Sequence, residues 1–429
     1  LFLFLHYSLI FVVELTSREL LTHLFHTAIA AVDGRHLVAQ WYRSQNQSFS
    51  HFIAIGKAAP AMLQGALDCQ KNFQQALLIC PQGSAPRALR KDPRIAIHEA
   101  SHPVPDDSSL QAGAALLRFV QNLPADAGLL VLISGGSSSL VEVLPESISL
   151  DDLQAINRYL LASGKNIRAL NAWRKRFSKI KGGGLLNYLT VNECTQLLIS
   201  DVHPDDAAVV GSGLLITSND EPGADVYLQQ YSANTAQTKS HNDKTGCNKT
   251  GCNKTVCTHI IASQAMALHA VADEVKHMGL ACYLHDEFID GDAVQQGERL
   301  GRWLLNEAPL GVHLWGAETT VVLPERPGIG GRNQTFALAL ASTLLAADLK
   351  SDDIGVLAAG SDGIDGNSQC AGAVVFASTA RQIVQSGYDI KAELAAANAG
   401  GLLMLTGDLF KTGATGTNVM DLIIAWKQA

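Results

Sequence analysis

Three kinds of residue in this chain could act on an anion. They are cations set among glycines, aspartates at loop positions, and runs of small polar residues with exposed backbone N–H groups. Lys57 follows Gly56 where an extended run, His51-Phe-Ile-Ala-Ile55, gives way to helix-friendly residues 58–67. A lysine there can reach a phosphate held at the helix start. Arg332 stands between Gly331 and Asn333 at another predicted helix start, where a guanidinium can clamp a phosphate or carboxylate. Asp201, Asp205, Asp206, Asp362 and Asp365 offer carboxylates for a base or for Mg²⁺, which commonly takes one or two carboxylates plus substrate phosphates. Turns and helix caps also use Asp, so spacing alone does not choose among the five.

The loops around these residues share a composition. Ile133 is followed by Ser134-Gly-Gly-Ser-Ser-Ser139, and Ser200 by Asp201-Val-His-Pro-Asp-Asp206 with Gly211-Ser-Gly213 beyond it. Further on stand Gly328-Ile-Gly-Gly-Arg-Asn-Gln334, Gly360-Ser-Asp-Gly-Ile-Asp-Gly366 and Thr412-Gly-Ala-Thr-Gly-Thr-Asn418. Glycines let backbone N–H groups approach an anion, and a helix dipole behind them adds to the attraction. One such loop means little, because turns use glycine anyway. Several at strand ends point to a site that handles phosphate.

Loops of this kind need strands and helices to hold them. Short apolar runs at 51–55, 76–80, 94–98, 128–133, 196–200 and 258–262 alternate with helical patterns at 20–42, 58–67, 107–122 and 263–279. A second set of strands is predicted at 319–323, 354–358, 372–376 and 421–425. Such runs between helices signal buried parallel strands, so the predicted class is α/β with helices on both faces. The polar stretch around 234–256 is the predicted linker. The expected division is a hydrophobic extension at 1–15, a Rossmann-like domain at 16–240, a cysteine-repeat loop at 241–256 and a second α/β domain at 257–429.

The 429-residue length fits two or three domains at about 150 residues each. Net charge is −8, which argues against a nucleic-acid partner, since that surface is normally basic. Eight cysteines without a C-x-x-C pair suggest a reduced, cytoplasmic setting. Cys247, Cys252 and Cys257 recur five apart in a repeated Lys-Thr-Gly-Cys-Asn unit, wider than zinc-knuckle spacings, and read as a lengthened loop. Residues 1–13 are apolar but fall short of the ~20 that a spanning helix needs, so no membrane partner is expected.

Several motifs are excluded by context. His98-Glu-Ala-Ser-His102 fits H-E-x-x-H, yet the residues before it look extended and prolines follow at 103 and 105, whereas zinc chemistry needs both histidines on one helical face. No P-loop, protein-kinase H-R-D or D-F-G, or G-x-G-x-x-G dinucleotide fingerprint occurs.

As a set, the loops resemble the glycerate 2-kinase family. The motifs are Ile55-Gly-Lys-Ala-Ala-Pro-Ala-Met62, Ser101-His-Pro-Val-Pro-Asp106, Leu132-Ile-Ser-Gly-Gly136, Asn171-Ala-Trp-Arg-Lys175, Ile180-Lys-Gly-Gly183 and Ser200-Asp-Val202. In the second half Gly316-Ala-Glu-Thr-Thr320, Gly331-Arg-Asn-Gln334, Ala359-Gly-Ser-Asp-Gly-Ile-Asp-Gly366 and Thr415-Gly-Thr-Asn418 resemble that family's C-terminal MOFRL domain. The likeness runs in order from about residue 16 to 425. Three departures stand out. Ser137 replaces a usual glycine or alanine, Gly184 a common arginine, and His203-Pro204 the usual Pro-Gly.

The resemblance implies ATP- and Mg²⁺-dependent phosphorylation of D-glycerate at its 2-hydroxyl. It also implies two α/β/α three-layer domains with mainly parallel sheets and a cleft between them. By position, Lys57, Asp201 and Arg332 match the family's catalytic set, with Asp201 also the candidate Mg²⁺ ligand. Ser134, Gly135, Gly136, Ser137, Arg174, Lys181, Glu318, Gly331, Asn333, Asp362, Asp365, Thr415 and Asn418 are the implied substrate or nucleotide contacts. A homo-oligomer is compatible with this reading. Two alternatives stand beside it: an NAD(P)H-dependent hydroxypyruvate reductase, which the missing fingerprint disfavours, and a non-catalytic module that binds a phosphorylated acid.

Overall fold

A computed structural model describes residues 15–45, 47–162, 167–217, 223–231, 254–345 and 353–428. Strands β1 (His51–Ile55), β2 (Gln75–Pro81), β3 (Ile95–Ala100), β4 (Leu129–Ile133), β5 (Glu193–Ile199) and β6 (Thr255–Ala262) form one sheet, in the order β3-β2-β1-β4-β5-β6. Every pairing in it is parallel. β1 and β4 are buried at all positions, as unbroken apolar runs in a covered parallel sheet should be. Alternate residues feed two cores. Phe52, Ala54, Leu130 and Leu132 pack with helices Gly34–Ser44 and Ala59–Cys69, while Ile53, Ile55, Val131 and Ile133 face helix Asp107–Gln121.

The strand order reverses between β1 and β4. In open α/β sheets the crevice at the carboxyl ends of the strands flanking such a reversal receives the ligand. The loops that follow these two strands carry Lys57 and Ser134-Gly-Gly136. His98 lies in β3 and His102 beyond its end, so the two share no helical face.

The second lobe contains β7 (Cys282–Leu284), β8 (Ile289–Asp292), β9 (Gly311–Thr320), β10 (Ile354–Gly360), β11 (Gly372–Phe376), β12 (Leu409–Phe410) and β13 (Asp421–Lys427). Their order is β12-β11-β10-β13-β9-β7, with β8 also beside β9. β9 begins well before the predicted 319–323 strand. The expectation of mainly parallel sheets holds for the first lobe and fails here. β10 runs antiparallel to β11 and β13, β13 to β9, and β11 to β12; only β7 and β8 pair parallel, with β9. Helices cover both faces of this sheet, so its antiparallel strands show the same unbroken apolar runs that parallel ones do. Leu357, Leu422 and Ile424 face one core, and Val356, Ala358, Ile423 and Ala425 the other.

The lobes also part elsewhere than at the expected limits of 16–240 and 257–429. The periodic stretch from residue 20 to 42 is two helices: Val32 closes the first, and Asp33 caps the next with a 2.6 Å bond from the His36 N–H. The first of them, Ser17–Ala31, lies on the second sheet. Phe25 meets Phe410 edge to face at 5.1 Å, Arg18 pairs with Asp408, and His23 bonds Glu274 at 2.7 Å. Conversely, β6 completes the first sheet, and the chain enters the second lobe only with helix Gln264–His277. Cys257 is exposed on β6; Cys247, Cys252 and residues 1–14 lie outside the described residues. Among the described residues no helix is long and apolar enough to cross a membrane.

Candidate active site

Two short connections build the floor. The Lys57 N–H donates to the Gly135 carbonyl at 2.9 Å, and the Ala58 N–H donates to Ser134 Oγ at 3.0 Å. These bonds tie the loop after β1 to the loop after β4. Gly135 is required by close approach: a Cβ there would fall 2.2 Å from both Asp201 Oδ2 and Asn418 Nδ2. Gly136 holds φ at +82°, in the left-handed region that favours glycine, beside the Lys57 stem and the His102 ring. Asp201 follows β5, while Asn418 belongs to the loop before β13 in the other lobe. The site therefore lies where the two lobes meet.

A second contact crosses the same boundary. Lys57 Nζ donates to Asp362 Oδ2 at 2.6 Å. Arg332 opens helix Arg332–Leu344, and its guanidinium grips the buried Asp421 with Nε at 2.6 Å and Nη2 at 3.1 Å. Glu318 on β9 accepts a third bond from Arg332 at 3.3 Å. Burial works against the charge on Arg332, but Asp421 and Glu318 outweigh it and hold the pKa above its ordinary value.

The carboxylates here are costly to ionise. Burial raises Asp201 to about 6; the Glu318 charge adds to the shift, and Lys57 and nearby backbone N–H groups oppose it. Burial likewise raises Glu318, against the pull of Arg332. His102 moves the other way, to about 4, because burial and the Lys57 charge both disfavour its cation. Its Nδ1 lies 2.7 Å from Ser139 Oγ.

Several of the implied contacts serve the scaffold. Asp365 caps helix Arg332–Leu344, accepting from the Asn333 N–H at 3.1 Å and the Gln334 N–H at 2.9 Å. Burial pushes it up to about 7, although those two donors pull it down. Asn333 Nδ2 also bonds Asp365 at 3.3 Å, and Gly331 stands against the same carboxylate. Lys181 is buried in an ion pair with Glu142 at 2.5 Å, and Glu142 also accepts from Ser178 Oγ and the Val143 N–H. Thr415 Oγ1 donates to the Ser361 carbonyl at 2.5 Å. In this arrangement Asp365, Asn333, Lys181 and Thr415 are committed to internal partners. Asp205 is exposed, and Asp206 turns back on its own loop, accepting from the Ala208 N–H at 2.9 Å.

Arg174 differs from these. Its guanidinium is half-buried and has no hydrogen-bond or ion-pair partner among the described residues. Burial lowers its pKa, with Glu142 opposing. Asn171, one turn earlier on helix Ile167–Arg176, accepts from Ser212 Oγ at 3.4 Å, and Ser212 bonds Ser138 Oγ at 2.8 Å. Ser137 Oγ is buried without a partner in the same loop. Hydroxyls gather here, and the unpaired Arg174 guanidinium stands one turn along the same helix from Asn171.

Reading the sequence alone missed Asp421 and Glu142, and placed His102 in a motif without giving it a role. Asp421 had a signal: an aspartate three residues after Thr415-Gly-Thr-Asn418, opening a strand. Glu142 had none, since only the fold brings it to Lys181. Among the described residues no three or more His, Cys, Asp or Glu side chains converge as a metal cage. The donors present suit Mg²⁺, which takes few protein ligands beside phosphates; Asp201 and Glu318, both raised by burial, would gain from a cation between them.

Comparison with known proteins agrees with this geometry. Residues 20–241 match a family model described as "Domain of unknown function (DUF4147)", and residues 311–421 match the MOFRL family. A D-glycerate 2-kinase of Thermotoga maritima is 29% identical over 95% of this chain and 97% of its own length. A protein of Agrobacterium vitis named "Putative hydroxypyruvate reductase" is 31% identical over 95% of this chain and 94% of its own. The crystal structure of a glycerate kinase from Thermotoga maritima superposes with a TM-score of 0.78 at 27% identity, over 96% of this chain and 99% of that one. With two matched regions in the same order and a shared fold from end to end, this chain belongs to the glycerate kinase family built from DUF4147 and MOFRL domains.

Proposed function

We propose that the protein phosphorylates D-glycerate at its 2-hydroxyl, using ATP and Mg²⁺ and giving 2-phosphoglycerate and ADP. The observation that carries this reading is the convergence of Lys57 and Asp201 from one lobe with Arg332 and Glu318 from the other. Phosphoryl transfer asks mainly for positioning and for cations around the transferring group. The glycerate 2-hydroxyl oxygen attacks the γ-phosphorus, the bond to the ADP oxygen breaks, and the hydroxyl proton passes to Asp201. With a pKa of about 6, Asp201 is ionised at neutral pH and matched to that proton. Lys57, paired with Asp362 at 2.6 Å, is placed to exchange that carboxylate for phosphate oxygens.

Arg332 already carries two carboxylates, so the unpaired Arg174 is the better seat for a substrate anion. The Ser134–Ser139 loop supplies hydroxyl and N–H donors beside it. Mg²⁺, held by Glu318 and the nucleotide phosphates, would supply charge neutralisation and leave Asp201 to take the proton. The free cysteines and the acidic net charge suit a reduced, cytoplasmic setting.

The test is ADP release from Mg-ATP and D-glycerate, with the product offered directly to enolase. ADP with immediate enolase turnover is expected. ADP without it would place the phosphate elsewhere on the acceptor. Absence of ADP, with NADH oxidised by hydroxypyruvate, would move the protein to the activity in its Agrobacterium relative's name. The loop after β1, Gly56-Lys-Ala-Ala-Pro60, lacks the glycines that bring a pyrophosphate onto the backbone in dinucleotide folds.

A further inference from the structure

Beyond the charged residues, one ring contact joins the lobes beside the proposed base. The His203 imidazole lies on the Phe288 ring with centroids 4.3 Å apart and planes 3° from parallel. His203 is two residues past Asp201 in the first lobe, on an exposed part of its loop. Phe288 belongs to the second lobe and directly precedes β8.

The Phe288 side of this contact is anchored. His285 stacks on Trp315 of β9 at 4.2 Å and 3°, and its Nε2 lies 3.1 Å from Nδ1 of the buried His313. Glu287 pairs with Arg299 at 2.7 Å. β8 then runs beside β9 in a register that sets Asp290 opposite Glu318, the partner of Arg332. Phe288 is thus fixed to the element that carries Glu318. The His203 side has weaker support: Ser200 is tied to β6 through Ala262 at 2.9 Å, but the next backbone bond is the local one from the Asp206 N–H to the Pro204 carbonyl.

We propose that His203 and Phe288 form an aromatic latch that sets the position of Asp201 against Arg332 and Glu318 across the cleft. Both are positioning residues: neither touches the reacting atoms, and each acts through the loop or strand it holds. The inference rests on the kinase reading for its catalytic consequence and on the ring geometry for its structural one.

The full-length protein tests this with H203A, F288A, the double variant and H203F. An aromatic pair of ordinary strength predicts that each alanine variant lowers kcat roughly 2- to 10-fold. The KM for ATP and for glycerate should change little, because the binding groups remain. The double variant should be no slower than the worse single one, and H203F should recover most of the loss, since it keeps a stacking ring. Independently of turnover, F288A should speed amide exchange in residues 200–206 of the opposite lobe.

The latch is refuted if the double variant multiplies the two single losses, if H203F is as slow as H203A, or if exchange in 200–206 is unchanged. If the wild-type chain releases no ADP with glycerate, the kinase reading fails, and the exchange measurement still decides whether the latch exists.

Discussion

At the scale of single residues, the cleft concentrates charges that are each expensive alone. Lys57→Ala and Arg332→Ala should each lower turnover at least ~100-fold, the order seen when a donor to a transition state is removed. Steady-state ADP release measures this, and near-normal turnover in either variant would remove that residue from the mechanism. Asp201 makes a sharper prediction. Its folded-state pKa of about 6 lies above its ordinary 3.8, so its contribution favours folding at low pH and is lost as pH rises through 6. Asp201→Asn should therefore raise the melting temperature at pH 7.5 while removing most activity. In the wild type, activity should fall as pH drops below about 6. His102, lowered to about 4, stays neutral through that range and does not supply the limb. Asp365, near 7, and Glu318, raised by burial, are the competing sources; retention of the limb in both Asp365→Asn and Glu318→Gln would assign it to Asp201. The residues best read from sequence were those whose role is local: a lysine after a strand, an arginine at a helix start, glycines where backbones touch. Glu142 was invisible because its partner Lys181 is distant in sequence; Asp421 has an equally distant partner in Arg332, and only its place after Thr415-Gly-Thr-Asn418 pointed to it.

At the scale of elements, Lys181, an implied substrate contact, is held in a buried ion pair. Lys181–Glu142 ties the turn after β4's short helix to the loop at 178–183. Removing one partner of such a pair strands a charge, so Lys181→Ala should destabilise the fold by about 3–5 kcal/mol. Chemical denaturation measures this, and a raised KM with unchanged stability would restore Lys181 as a substrate contact. The Rossmann-like half of the chain was legible because its strands are short apolar runs separated by helices. The second half was misread in direction, since period and burial do not distinguish parallel from antiparallel strands when both faces are covered. Short connections carried the missing signal: β10 and β11 are joined by a loop without a crossover helix, which forces an antiparallel return.

At the scale of the whole molecule, the two lobes share one continuous core. Helices Ser17–Ala31 and Gln264–His277 and the inward faces of both sheets all contribute to it. The cysteine repeat lies ahead of this junction, and its downstream limit matters. Lys254 Nζ donates to the Leu186 carbonyl at 3.1 Å, and β6 starts at Thr255. Deleting 244–253 should therefore leave turnover and melting temperature within experimental error, whereas a cut extending to 256 should lower both. Loss of activity together with bound metal in the shorter deletion would make the repeat a working site.

The placement of helix Ser17–Ala31 on the second sheet has a consequence for synthesis and for recombination. This helix is synthesised well before the second sheet, yet the surface it covers, Leu357, Leu422 and Ile424, is completed only by β13. Until then its Leu20, Leu21, Leu24 and Phe25 stripe has no final resting place, and the nascent chain carries it uncovered. For the same reason the two family regions are not interchangeable cassettes. A MOFRL half grafted from this chain would need helix Ser17–Ala31 brought along with it.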